Sequence, residues 1–306
     1  MEASVGRTEA VGRRVSKAQR QRRLDPLWSS LPAGALVGFF VLVPLAIFAV
    51  YSILTSRLFE VSGPVTTRNF SDALRSSLNR SLSRNSAEIG LLAAVFSVGL
   101  ALPMAYWMRH GAKRARAIVM FAVVASFMTG YLVRIYAFRT VLGTSGVINT
   151  VLLRLGIVDH PVEALLFSRI SVTVALVHIF LPYATITLFA AMAPLSTSYL
   201  EAAEDLGANA RQRWSRLIAP IMFSPALSTF VLVFVLSASD YVTPQFLGGT
   251  NGATIGTQVQ VAFTGAGDFG AGAAVSMLML VAFMICYAVG VGVPRLLGLG
   301  RLRFMS

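Results

Sequence analysis

One charged stretch, EAAEDLGANARQRWSRLIAP, runs from Glu201 to Pro220 between two long apolar runs. Its first arm carries acids and its second carries Arg211, Arg213 and Arg216. Ser198 stands where a helix N-cap is expected, with Glu201 three residues on in the capping-box position. Glu201-Ala202-Ala203-Glu204-Asp205-Leu206 then reads as a short helix, with acids in the first turns where the helix dipole favours them. Gly207 is expected to stop that helix. A second helix is predicted over about 209–218, and Pro220 marks the next change of direction. Such a helix–glycine–helix elbow is either a solvated connector or a rigid contact surface for another protein.

Other reactive side chains are sparse and lie in apolar surroundings, where ionisable groups are costly and are functional candidates by default. Asp240 follows FVLVFVLSAS, with Tyr241 and Thr243 beside it. A carboxylate with aromatic neighbours suits an organic cation, through charge pairing and cation–π contact; the same Asp could instead satisfy a broken helix before Pro244. Arg134, flanked by Tyr131 and Tyr136, either pairs with Asp240 or extends its head group to the membrane surface. His178 reads as a satisfied buried histidine or as a proton relay. The single cysteine, Cys286, reads as a packing residue and allows no zinc cluster. A phosphate-binding loop needs G-x-x-x-x-G-K-[ST]. The only lysines, Lys17 in VSKA and Lys113 in GAKR, do not fit it. ATP is therefore not expected to bind this chain.

The elements that must position these residues follow from composition. Hydrophobic residues make up 56% of the chain, charged residues 13%, and the mean hydropathy is +0.71; ordinary globular chains carry about 25% charge. Apolar runs of spanning length occur at about 31–54, 87–108, 117–138, 170–193, 221–243 and 271–293, each near the ~20 residues a bilayer needs. In lipid the backbone must satisfy its own hydrogen bonds, so six transmembrane helices are predicted. The net charge of +13 points to topology and lipid headgroups, not to nucleic acid. Seven basic residues precede the first run, four stand in RHGAKRAR (109–116), three in 195–220 and three after the last run, 17 of the 26. Both termini and the elbow are accordingly expected in the cytoplasm. The opposing 55–86 segment holds five arginines, but it is longer and carries Glu60 and Asp72. The first run is too long for the core of a cleavable signal peptide.

The elbow resembles the EAA loop of binding-protein-dependent ABC importer permeases: EAA, three residues, Gly, about nine residues, then I-x-L-P. Here Glu201-Ala202-Ala203 is followed by Gly207 and by Ile218-Ala219-Pro220. Ala219 replaces the usual Leu before Pro, and the spacing to Ile is one shorter. Gly130 to Arg139 (GYLVRIYAFR), Gly143, Gly146-Val-Ile-Asn149, SDYVTPQFLGG (239–249) and GAGAAVS (270–276) are similar to spermidine/putrescine-type permeases. LGIVDHPVEALLF (155–167) favours the first permease subunit of such systems.

The resemblance covers about 31–294 and implies an all-α, type-I ABC importer permease in the bacterial inner membrane. Glu201, Ala202, Ala203, Gly207, Ile218 and Pro220 would form the ATPase-coupling elbow, with Glu201 pairing to a basic group on the partner. Asp240, Tyr241, Thr243, Arg134 and Tyr136 would line the substrate path. The partners implied are cytoplasmic ATPase subunits that bind ATP and Mg, a second permease completing a heterodimer, an extracytoplasmic solute-binding protein and membrane lipid. The organisation expected is a basic tail over 1–30, a membrane domain over 31–294 with its coupling loop at 198–220, and a tail over 295–306. The substrate implied is a polyamine; another small solute, or a secondary transporter without an ATPase, is the alternative. The absence of internal repeats and the low helix count speak against the latter. Gly143-Thr-Ser145-Gly146 also resembles the nucleophile loop of rhomboid proteases, with His178 as the base, but only over four residues.

Overall fold

The computed structural model describes residues 32, 34–57 and 59–296. The expected N-terminal tail lies outside them, as does 297–306 of the expected C-terminal tail. The chain forms two units, divided between Tyr51 and Ser52. The described part of the first is essentially one apolar helix, α1 (Gly34–Ser52), about 28 Å long at 1.5 Å per residue.

The second unit opens with a short antiparallel hairpin, β1 (Leu54–Arg57) and β2 (Glu60–Val65), with Leu54 opposite Val65 and Arg57 opposite Glu60. The expected plain loop over 55–86 is thus structured, adding a hairpin to the helical fold. Helix α2 (Arg68–Arg75) follows. Then comes α3 (Ser77–His110), which starts ten residues before the predicted span because Ser76 accepts a hydrogen bond from the Asn79 amide and caps it early.

Next are α4 (Lys113–Met128), α5 (Tyr131–Leu142), α6 (Val147–Arg154) and α7 (Arg169–Ala191). The elbow comprises α8 (Thr197–Asp205) and α9 (Ala210–Arg213), joined through a wide turn at Trp214–Ile218 to α10 (Ala219–Ser239). Helices α11 (Val242–Leu247), α12 (Ile255–Thr264) and α13 (Phe269–Leu296) complete the chain.

Among the described residues, five helices are long and apolar enough to cross a membrane. The third predicted span, 117–138, is not one helix. α4 stops at Met128, Thr129 and Gly130 are extended, and the chain leaves at a bend of 99°. The Thr129 hydroxyl and amide both donate to the Ala125 carbonyl, closing α4 where the apolar run continues. Counted as one span, the bent pair brings the number to six. A second correction concerns Pro220. The helical run passes through it without a break, from Ala210 to Ser239. The π turn immediately before the proline takes up the crowding its ring would cause.

The core is built on α3, which packs along α7 and along α10, with α13 against α10. Its buried face carries a run of small residues, Gly90, Ala93, Ala94, Ser97, Ala101 and Ala105, set among the larger Ile89, Val98 and Met108. Apolar burial drives helices together weakly in lipid, so close van der Waals approach over small residues takes its place. A Cβ on Gly90 would lie 2.8 Å from that of Ala238 and 3.1 Å from the Phe234 carbonyl oxygen. Ala93 also joins Val172, Leu176 and Ile135 in one cluster, and Ala101 and Ala105 join Ala184, Leu188 and Met222 in another.

Gly90→Leu should force α3 and α10 apart, lowering stability by about 1–3 kcal/mol as overpacking does. A clear fall in the melting temperature of the detergent-solubilised protein would show this. Gly99→Ala, on the open side of the same helix with nothing within 4 Å of the added carbon, should leave the melting temperature unchanged or higher.

Candidate functional site

The elbow has defined stereochemistry at each joint. Its first arm, α8, begins with Ser196 in the N-cap position, and the Ser196 side chain makes no capping bond. The expected cap at Ser198 with Glu201 is therefore absent; Ser198 lies within the first turn. Leu195 and Leu200 flank that turn in the staple positions, and both are buried in the same cluster as Leu188 and Met192. Their packing sets the start of the helix.

Gly207 ends α8 as predicted, at φ +76°. Its amide donates to the Glu204 carbonyl at 2.8 Å, and the Ala208 amide donates to the Ala203 carbonyl at 2.9 Å. These two bonds form a complete Schellman motif. Nothing lies within 4 Å of a Cβ placed at Gly207, so glycine is needed there for backbone conformation and not for space.

The second arm has the capping box that the first lacks. The Asn209 side chain accepts from the Gln212 amide at 2.9 Å, and the Gln212 side chain accepts from the Asn209 amide at 2.9 Å. The N-x-x-Q spacing was its signal in the sequence. Glu204 and Arg213 form an ion pair across the turn, clasping the arms together.

The far end of the motif faces inward. Ile218 is 2% exposed, packed among Leu188, Met192, Leu195 and Met222, and Pro220 begins α10. The Trp214 ring meets Tyr106 edge-on at 5.6 Å, Tyr106 lies 4.6 Å from His110, and Arg109 donates to the Ala193 carbonyl at 3.2 Å. The end of α3 thus packs against the root of the elbow. Outward-facing are Glu201, Ala202, Asp205 and Leu206. Among the described residues Glu201 has no ion-pair partner. Leu206 is 88% exposed. Sequence reading passed over it as a site residue; its signal was an apolar side chain ending an acidic helix just before the glycine turn.

At the other end of α10, the chain becomes extended at Asp240. The Asp240 carboxylate accepts from the Tyr131 hydroxyl at 2.7 Å, from the Val242 amide at 3.0 Å and from the Thr243 amide at 3.2 Å. It therefore caps α11 while holding Tyr131, the first residue after the 99° bend. The Thr243 hydroxyl lies 2.8 Å from that of Tyr131, and Thr254 donates to the Asp240 carbonyl at 3.0 Å. A Cβ on Gly256 would lie 2.8 Å from the Ser239 carbonyl oxygen, so α12 crosses directly over this junction.

Arg134 does not join the group. It donates to the Ile179 carbonyl at 3.1 Å, beside Pro182, whose ring and missing N–H disturb that turn of α7. Tyr136 packs on Phe246 at 5.3 Å and His178 on Phe138 at 5.2 Å. Tyr241 opens on a cavity of about 270 Å³, with Ser276, Met279 and Phe283. Ser145 lies in the turn that closes α5, where the Gly146 amide donates to Gly143 at 2.8 Å. No hydrogen bond joins Ser145 to His178 among the described residues. None of the described residues group three or more His, Cys, Asp or Glu side chains as metal ligands.

Tyr131→Phe and Asp240→Asn should each destabilise the protein by about 1–3 kcal/mol, the range for a buried polar group left without its partner. Thermal unfolding of the two single variants and the double variant should reveal coupling of about 0.5 kcal/mol or more. The pair Arg134→Gln and Asp240→Asn should be additive.

Comparison with known proteins places this geometry. A family model described as the binding-protein-dependent transport system inner membrane component matches residues 89–298. The chain is 30% identical over 252 residues to the spermidine/putrescine transport system permease protein PotB of Haemophilus influenzae, covering 81% of this chain and 87% of that one. It is 27% identical over 275 residues to the molybdenum transport system permease protein ModB of Mycobacterium bovis, covering 88% and 95%. A chain of the bacterial alginate ABC transporter, solved with an alginate pentasaccharide-bound periplasmic protein, superposes with a TM-score of 0.74 at 15% identity, covering 90% and 96%. A chain of the MetNI methionine ABC transporter, in an inward-facing form, gives 0.54 at 14%, covering 72% and 98%. Likeness at such low identity speaks for the fold alone. With more than half of its residues matched by the family model, this chain belongs to the inner membrane components of binding-protein-dependent transport systems and is an importer permease.

Proposed function

We propose that this permease imports a polyamine, as the first of two permease chains in a heterodimer. ATPase subunits on separate polypeptides would bind ATP and Mg, dock on the elbow and drive alternating access, while an extracytoplasmic binding protein delivers the solute. Both termini and the elbow lie on the cytoplasmic side in this reading. The observation that carries the coupling role is the elbow itself. An exposed face of Glu201, Ala202, Asp205 and Leu206 stands on a turn held by two backbone bonds, a capping box and an ion pair. Few side chains need ordering when a partner binds so constrained a surface, which lowers the cost of association.

The lever continues into the membrane. The helical run from Ala210 to Ser239 is about 45 Å long at 1.5 Å per residue. At its far end Asp240 holds Tyr131. A force applied at Leu206 would pass through the Gly207 turn and the Glu204–Arg213 pair into this run and so reach the bend between α4 and α5. Asp240 enters this reading as a mechanical link, since both its carboxylate oxygens are occupied within the chain; Tyr241 and Tyr136, each with an exposed ring, are left to meet a cationic solute. The polyamine assignment is supported by the similarity to the PotB permease.

Cells carrying the intact transporter should accumulate radiolabelled spermidine or putrescine, and deletion of this chain should abolish that uptake. Uptake of molybdate instead of polyamine would overturn the substrate assignment while leaving the permease role intact. Conformation at Gly207 provides a separate test. Gly207→Val should lose solute-stimulated ATPase activity in proteoliposomes, because a left-handed conformation costs an ordinary residue about 1–2 kcal/mol and a β-branched one more. Gly207→Asn, which tolerates that conformation, should retain most of the activity. Equal loss in both variants would mean that the partner requires glycine for contact.

A further inference from the structure

A groove of about 390 Å³ lies between α3 and α7, on a part of the surface that neither the elbow nor the Asp240 junction uses. Its walls are Leu92, Phe96 and Leu100 from α3 and Ile170, Val174 and Val177 from α7. All six belong to membrane-spanning helices. Glu88 and Arg169 close one end. The Glu88 carboxylate accepts from Arg84 at 2.7 Å and from Arg169 at 2.8 Å, and the Arg169 Nε donates to the Asn251 carbonyl at 3.0 Å. Two guanidinium groups thus share one carboxylate, leaving a surplus positive charge. Arg169 lines the groove's end and is half-exposed, and Arg84, one helical turn before Glu88, is exposed.

We propose that this groove binds the acyl chain of an anionic phospholipid, whose phosphate sits at Arg84 and Arg169. Length supports this occupant. Glu88 to Leu100 covers about 18 Å of helix at 1.5 Å per residue, close to the roughly 15 Å depth of one leaflet of a 30 Å hydrocarbon core. Polarity supports it too: along that depth the walls are apolar but for Thr173, whose hydroxyl donates to the Arg169 carbonyl, and the charge stands only at the headgroup end. A helix of a second permease would face an excess of cation at that end and would need an acid of its own there. A phospholipid brings the complementary charge with it, and arginine forks match phosphate oxygens. The lipid would act as a wedge that keeps α3 and α7 in register, next to the Gly90 contact between α3 and α10.

The test places a tryptophan in the groove of the full-length chain, within its complex and in lipid vesicles. The added fluorescence of Leu92→Trp over the parent is measured against vesicles containing brominated-chain phosphatidylglycerol or brominated-chain phosphatidylcholine. Phosphatidylglycerol should half-quench it at about a fivefold lower mole fraction for each arginine engaged, the effect expected of one basic group at an anionic headgroup. Arg84→Gln, an exposed change that should leave the fold intact, should cut that preference by about the same factor. Arg169→Gln should do likewise. Leu91→Trp, on the same helix but outside the groove, should show no headgroup preference. Equal quenching of Leu92→Trp by both lipids would mean ordinary annular contact and would overturn the proposal. So would protection from both, which would assign the groove to a second protein chain.

Discussion

The structure rests on the closeness with which α3 meets its neighbours. In lipid, transfer of apolar side chains from water cannot drive helix against helix, so cohesion comes from packing at short range. α3 supplies this with a run of Gly, Ala and Ser set between larger buried side chains such as Ile89 and Met108. Gly90 brings the backbone of α10 within reach, and the alanines beyond it admit α7. The elbow and the Asp240 junction both hang from these two partners of α3. α7 leads into the first arm of the elbow, and α10 carries the second arm at one end and Asp240 at the other.

Rigid joints at both ends of α10 make it more than a membrane span. At the elbow, the Schellman turn, the Asn209–Gln212 box and the Glu204–Arg213 pair leave the two arms little freedom. Ile218 anchors the root in the core. At the opposite end the carboxylate of Asp240 serves two elements together, capping α11 and holding Tyr131. A carboxylate with its acceptors so engaged satisfies the polar backbone where two helices break. Asp240 thereby supplies hydrogen bonds that the break between α10 and α11 leaves open.

The corrections to the sequence reading share a physical origin. Ser198 and Glu201 have the spacing of a cap, but burial of Leu195 and Leu200 starts the helix earlier. Pro220 has the chemistry of a breaker, but a wide turn ahead of it lets the helix run on. Arg134 has the charge to pair with Asp240, but the Ile179 carbonyl takes its guanidinium, and Tyr131 takes the carboxylate. Each local preference was real, and each lost to packing, to a local adjustment of the backbone or to a partner that the fold brought in.

By itself the sequence determined the solvent, the helical class, the number and approximate positions of the long apolar runs, and the order of the elbow. These are local properties: a run of about 20 apolar residues must close its own hydrogen bonds in lipid, and glycine adopts without strain the left-handed turn that closes a short helix. Only the tertiary structure decided that the third run bends by 99°, that Ile218 turns inward, and that Asp240 belongs to Tyr131, 109 residues away. It alone opened the groove between α3 and α7. Those features depend on which side chains meet after the helices assemble, and in a membrane that choice is made by short-range fit between surfaces that look equally apolar in the sequence.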